Sequence, residues 1–119
     1  MSENEVKHGI ATPEQISRYG DGECWALAQA IHDITGWPMT LWSQDDGVTG
    51  HLMVRHPGGR YVDVDSAVTQ DTMLGGWPNG WSEPPTTVRS VGEMGWGVSE
   101  YDITDDTREL AARIVEAMA

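Results

Sequence analysis

The 119-residue sequence has the length of one domain, and 39% hydrophobic residues together with 14 glycines are typical of a globular chain. Nineteen acidic and seven basic residues give a net charge of −12, which disfavours binding to phosphate backbones and anionic membranes. A surface that mimics nucleic acid would still fit this charge. We expect a single domain over residues 1–119, with residues 1–11 as a candidate flexible segment and no nucleic-acid or membrane partner.

The single cysteine, Cys24, excludes an intramolecular disulfide and a cysteine-rich zinc site. Residues 1–20 carry several charges where a secretory signal would be apolar, and no apolar run reaches the length of a membrane span. The sequence therefore predicts a cytoplasmic protein in a reducing compartment, and it suggests neither a metal nor a cofactor.

Three helices are predicted from capping residues and apolar spacing. Thr12-Pro13-Glu14-Gln15 combines a capping residue, an early proline and a glutamine three residues later, which predicts a helix over residues 13–19 with Gly20 as its stop. Apolar residues at helical spacing predict a second helix over residues 23–35, with Cys24 in its first turn. A C-terminal helix is expected from Thr104 onward. Its apolar face comprises Leu110, Ala111, Ile114, Val115 and Met118.

Short strand patterns occupy the middle of the chain. Met39–Ser43 is predicted to be a strand, residues 44–50 a turn, and residues 51–55 and 60–65 a hairpin. The weak periodicity of residues 66–99 predicts mostly irregular chain, with one strand over residues 86–91. The fold class is therefore α+β. We expect the helix that bears Cys24 to pack against a small antiparallel sheet, with the C-terminal helix completing the core.

The position of Cys24 is chemically favourable for a nucleophile. A side chain in the first turn of a helix faces unsatisfied N–H groups and the positive end of the helix dipole, and both favour thiolate over thiol. The alternative is structural, because free cysteine is among the most buried residue types and Cys24 begins an apolar stripe.

The length of the hairpin loop decides which side chains lie beside His51. A three-residue loop over residues 57–59 would give the pairs Arg55 with Tyr61, Met53 with Asp63, and His51 with Asp65. His51, Asp63 and Asp65 would then share one face. The opposite face would pack against the Cys24 helix and would comprise Leu52, Val54, Val62 and Val64. A two-residue loop would instead leave His51 among valines.

Two stretches resemble a known superfamily. Gly22-Glu23-Cys24-Trp25-Ala26-Leu27 resembles the nucleophile segment of papain-like cysteine peptidases, and residues 51–63 are similar to a His-hairpin-Asp pattern of the papain and transglutaminase superfamily, particularly of small bacterial and phage proteins. The resemblance covers about residues 20–66. It implies a papain-like core in which Cys24 is the nucleophile, His51 the general base and Asp63 the orienting residue. Strand pairing alone favours Asp65 in that last role.

The sequence also departs from papain. Papain has a glutamine several residues before its cysteine, whereas Gln15 belongs to a separate predicted helix, so we leave Gln15 unassigned and take the backbone N–H of Cys24 as a candidate oxyanion donor. The chain is too short for a second lobe. Trp25 is a candidate wall of the site, and Trp77 and Trp81 a candidate substrate lip.

The other histidines predict no further site. His32 lies too far along the helix from Cys24 for a shared metal ion, because eight residues span about 12 Å. His8 and His56 are interpreted as exposed surface residues.

These residues predict a thiol-dependent acyl hydrolase or acyltransferase that acts on a peptide, isopeptide or side-chain amide. Its partner would be a polypeptide or another amide-containing substrate. The alternative is a catalytically inert acidic binding protein, such as a phage-type inhibitor, that blocks a basic partner.

Overall fold

The computed structural model describes residues 5–43, 50–75, 85–94 and 103–118. Within these ranges the chain forms four α-helices and a six-stranded antiparallel sheet. The strands are β1 (Glu5–Lys7), β2 (Met39–Ser43), β3 (Gly50–Arg55), β4 (Tyr61–Val62), β5 (Ser66–Val68) and β6 (Thr86–Val88). The helices are α1 (Pro13–Ser17), α2 (Cys24–Thr35), α3 (Gln70–Leu74) and α4 (Asp105–Met118). The expected α+β class is confirmed, including the C-terminal helix.

The end of α2 and the start of α1 are as their sequences indicate. Gly36 follows α2 in the left-handed conformation, with φ of 76°, and its N–H bonds the carbonyl of His32 at 2.7 Å. Thr12 caps α1 through a reciprocal pair of hydrogen bonds with Gln15. Gly20 does not stop this segment, because a π-helical turn continues over Arg18–Gly22 and leads directly into α2.

The sheet follows the order β1-β5-β4-β3-β2-β6, and every neighbouring pair is antiparallel. Of the two hairpin loops considered, the structure has the three-residue one, since Arg55 pairs with Tyr61 and the His56 N–H bonds the Arg60 carbonyl at 2.8 Å. Gly59 has a φ of 100°, which a side chain would disfavour. The ladder is shorter than predicted: pairing ends at Val54 with Val62.

Apolar side chains form a cluster on each face of the sheet. The larger cluster joins α2 and α4 to one face, and its sheet members include Leu52, Val54, Val62 and Val64, as the register predicts. The smaller cluster lies on the other face and comprises Trp42, Met53, Tyr61, Val68 and Met73. Both faces of the central strands are therefore buried, by α2 and α4 on one side and by the smaller cluster with Met73 of α3 on the other.

Three elements lie where the sequence predicted none. β1 occupies part of the segment proposed as flexible, and β5 and α3 lie within residues 66–99, which were expected to be mostly irregular. The strand predicted over residues 86–91 is shorter, since β6 ends at Val88 and a 3₁₀ turn follows over Val91–Met94. Residues 44–49, with most of the predicted turn, and Trp77 and Trp81 lie outside the described residues. None of the helices in the described ranges has the length and apolar character needed to cross a membrane.

Candidate active site

The N-terminus of α2 places Cys24 against the sheet. Cys24 is the first residue of α2, as predicted, and only 6% of its surface is exposed. The next three residues, Trp25, Ala26 and Leu27, are all buried in the core, so the helix enters the protein with its first turn. Burial of this turn fixes the direction in which the Cys24 side chain leaves the backbone. Trp25 is therefore a core residue.

The sulfur of Cys24 occupies a gap between β3 and β4. In an antiparallel ladder the backbone N–H groups of one strand point alternately to its two neighbours. Because the His56 N–H bonds Arg60 on the β4 side, the Leu52 N–H also points toward β4. Pairing has ended by that level, and the Leu52 N–H instead donates to Cys24 Sγ at 3.5 Å. The sulfur thus takes the place of a strand carbonyl.

His51 and Asp63 lie beside this gap. The Nε2 atom of His51 is 3.1 Å from Asp63 Oδ2, and the side chains are only 7% and 11% exposed. His51 also makes a side-chain hydrogen bond with Cys24. The structure therefore brings Cys24, His51 and Asp63 together in one buried hydrogen-bonded series.

Electrostatics favour the charged form of His51. Burial lowers the pKa of His51, but the negative charge of Asp63 and its hydrogen bond raise it, as do the hydrogen bond and charge of Cys24. The net result is a pKa raised to about 10 from the ordinary value of 6.5. His51 is thus an imidazolium at neutral pH, with a carboxylate on one side and the sulfur on the other.

Asp65 does not face His51, contrary to the simple continuation of strand pairing. The chain turns after Val62, and the Asp63 N–H bonds the Ser66 carbonyl at 2.8 Å. This turn directs Asp65 outward, where its carboxylate lies 2.6 Å from Lys7 Nζ. The sequence could not show this, because the turn has no glycine or proline to mark it. Of the two candidate carboxylates, only Asp63 contacts His51.

The segment before Cys24 is anchored to α4. Tyr19 is fully buried in the π-helical turn, and its hydroxyl lies 2.9 Å from Asp106 Oδ2 and 2.7 Å from Thr107 Oγ1. Arg18 contacts the carboxylate of Glu23, the residue immediately before Cys24. Gln15 is held by the α1 cap and by Asp106, in agreement with leaving it out of the oxyanion site. These contacts fix the entry of the chain into α2.

We expect Tyr19→Phe to lower the free energy of unfolding by about 1 kcal/mol, because the hydroxyl of a buried tyrosine and its two partners lose their hydrogen bonds. Urea unfolding measures this change. Tyr61→Phe is the matched control, since that hydroxyl makes one longer bond, of 3.2 Å to Gln70. A loss no greater than that of Tyr61→Phe would show that Tyr19 does not anchor this segment.

The remaining histidines have structural contacts. His32 Nδ1 lies 2.8 Å from the Trp37 carbonyl, and His56 packs edge-on against Trp37 and bonds the Met118 carbonyl. His8 is partly buried and bonds the carbonyl of Asp63 at 2.9 Å. The interpretation of His8 and His56 as exposed residues is therefore wrong. Within the described ranges, no group of three or more His, Cys, Asp or Glu side chains is placed to hold a metal ion.

Fold and site together define an α+β protein in which a helix N-terminus supplies a buried cysteine to a histidine–aspartate pair on a sheet. Comparison of the chain with protein-family models, with curated proteins and with solved structures found no match.

Proposed function

We propose that the protein catalyses thiol-dependent acyl transfer, with Cys24 as nucleophile, His51 as the proton-transfer group and Asp63 as the residue that orients His51. The supporting observation is the buried series of hydrogen bonds from Cys24 through His51 to Asp63. A second donor, the Leu52 N–H, stabilises negative charge on the sulfur. A cytoplasmic, reducing location is part of the proposal, because the reaction needs a free thiolate.

The first half of the reaction would form a thioester. The Cys24 thiolate attacks the carbonyl carbon of an amide, a C–S bond forms, and the carbonyl electron pair moves to oxygen. As the C–N bond breaks, the leaving amine takes the proton from the His51 imidazolium. The backbone N–H of Cys24 is the candidate donor to the transient oxyanion, since it belongs to the first turn of α2.

The second half would release the acyl group. Water, or an amine in a transferase reaction, gives a proton to neutral His51 while its oxygen or nitrogen attacks the thioester carbon. The C–S bond breaks, Cys24 leaves as thiolate, and the product is an acid or a new amide. Asp63 orients His51 and stabilises the imidazolium that this cycle regenerates.

The net charge bears on the substrate class. A chain with a net charge of −12 repels anionic molecules at long range and attracts cationic ones. We therefore propose a basic or neutral polypeptide as the acyl donor. The superfamily that residues 20–66 resemble supports the same substrate class.

Acylation by an activated ester tests the proposal without knowledge of the natural substrate. Native protein is incubated with p-nitrophenyl acetate, the reaction is quenched in acid, and the mass of the intact protein is measured by mass spectrometry. We expect rapid transfer of a single acetyl group, removable by neutral hydroxylamine as a thioester is. Because the chain has one cysteine, Cys24→Ser removes the hydroxylamine-sensitive product altogether.

Urea-unfolded wild-type protein is the control for intrinsic thiol reactivity, and it should acylate more slowly than the native form. Absence of a thioester on the native protein, or equal rates before and after unfolding, would contradict the proposal. That result would favour the alternative of an inert acidic binding protein.

A further inference from the structure

The carboxylate of Asp63 is held by a short turn between β4 and β5. Val62 is the last residue of β4 and Ser66 the first of β5, and the Asp63 N–H closes the turn on the Ser66 carbonyl. Asp63 itself belongs to neither strand, and its backbone is joined to β5 by this closing hydrogen bond. The 3.1 Å contact between its carboxylate and His51 Nε2 therefore depends on whatever else holds this turn.

The end of β1 supplies those contacts. Lys7 pairs with Ser66 across the β1–β5 ladder, and the His8 N–H donates to the Asp65 carbonyl at 2.9 Å. The His8 ring then reaches over the turn, with Nε2 at 2.9 Å from the Asp63 carbonyl oxygen. A carbonyl only accepts, so Nε2 carries the hydrogen in this contact. His8 thus binds the main chain of the same residue whose side chain contacts His51.

His8 makes this contact as an uncharged donor. Burial lowers the pKa of His8, and this outweighs the hydrogen bond to Asp63 and the charges of Asp63 and Asp65, which raise it. A neutral ring beside Asp63 leaves the full negative charge of the carboxylate available to His51. A lysine or arginine at this place would weaken that charge instead.

We propose that His8 is a positioning residue of the site: it holds the backbone of Asp63 and so keeps the carboxylate against His51. The inference rests on the proposed function for its catalytic meaning. This role makes the end of the N-terminal strand, with His8 directly after it, part of the proposed site. In the contacts described above, His8 touches neither Cys24 nor His51.

NMR of labelled histidine rings measures the pKa of His51 in the folded protein. A loss of stability alone would not change this pKa. We expect His8→Ala to lower the pKa of His51 by about one unit in the folded protein, because a freed Asp63 no longer keeps its charge at hydrogen-bonding distance. His8→Gln, which retains a terminal N–H donor, should restore most of that shift. Carboxamidomethylation of Cys24 near pH 6.5 should slow about tenfold in His8→Ala and recover in His8→Gln.

Lys7→Ala is the matched control. It removes an exposed ion pair from the same turn but keeps the His8 ring, and exposed pairs contribute little to stability. We expect the His51 titration to be unchanged in this variant. An unchanged titration in His8→Ala, an equal shift in Lys7→Ala, or no recovery in His8→Gln would each overturn the positioning role. A wild-type His51 that titrates near 6.5 with an unreactive Cys24 would instead refute the proposed function itself.

Discussion

Asp63→Asn is expected to lower the pKa of His51 by about 1–3 units from its raised value of about 10, whereas Asp65→Asn leaves it unchanged. Asparagine keeps the size of the Asp63 side chain but removes the negative charge that offsets the effect of burial on the pKa of His51. Asp65 already pairs with Lys7 and lies outside hydrogen-bonding contact with His51. The two substitutions make the same chemical change two residues apart, so each controls for the other.

Ring-carbon shifts of labelled histidine, recorded from about pH 5 to 11, measure this effect. The protein has four histidines, and His51→Gln identifies the His51 signals. Since the raised pKa belongs to the folded state, the high-pH titration should disappear in urea and return to about 6.5. Equal shifts in Asp63→Asn and Asp65→Asn would contradict the assignment of Asp63 as the orienting residue.

His51→Gln is expected to slow carboxamidomethylation of Cys24 at pH 6.5 by about 100-fold. An adjacent opposite charge favours the ionised form of a group by about 1–3 pKa units, so loss of the imidazolium depletes the thiolate, which is the reactive form. Glutamine fills the space of the ring, so the substitution does not simply open a path to the sulfur. The intact mass reports Cys24 alone, because the chain contains no second thiol.

His32→Ala is the control for removal of a histidine elsewhere, since His32 contacts the Trp37 carbonyl at the other end of α2. Its alkylation rate should equal that of the wild type. All three proteins should react equally in urea, where the ion pair is lost. A wild-type rate that rises only above about pH 8, or a His51→Gln rate equal to the wild type, would refute the thiolate–imidazolium pair.

Much of the scaffold could be predicted because its elements carry strong local patterns. The helix at Cys24 has a long apolar stripe and a glycine stop, and the three-residue loop set the Arg55–Tyr61 register. These two features placed His51, Asp63 and Asp65 on one face of the hairpin, and strand pairing alone favoured Asp65 as the partner of His51. The resemblance of residues 20–66 to the papain and transglutaminase superfamily is what pointed to Cys24, His51 and Asp63 together.

The errors have a common physical cause. β1 and β5 are three residues long, too short for period-two alternation to distinguish them from irregular chain. The β3–β4 ladder ends where the chain turns after Val62 and where the Leu52 N–H donates to Cys24, and the second of these is a tertiary contact. His8 and the Leu52 N–H were missed for the same reason, since one is an isolated side chain and the other a backbone group that no sequence pattern can reveal.

In the gap between β3 and β4, one hydrogen-bond donor, the Leu52 N–H, affects both the stability of the sheet and the reactivity of the sulfur. If the Leu52 N–H bonded a strand carbonyl, the sheet would gain a ladder bond and the sulfur would lose a stabilising donor. The protein therefore leaves one ladder position of its sheet open, and the sulfur accepts the hydrogen bond that a strand carbonyl would otherwise accept. For this reason Cys24→Ser, which retains an acceptor, should be more stable than Cys24→Ala, which leaves a buried N–H unsatisfied at a cost of about 1–3 kcal/mol.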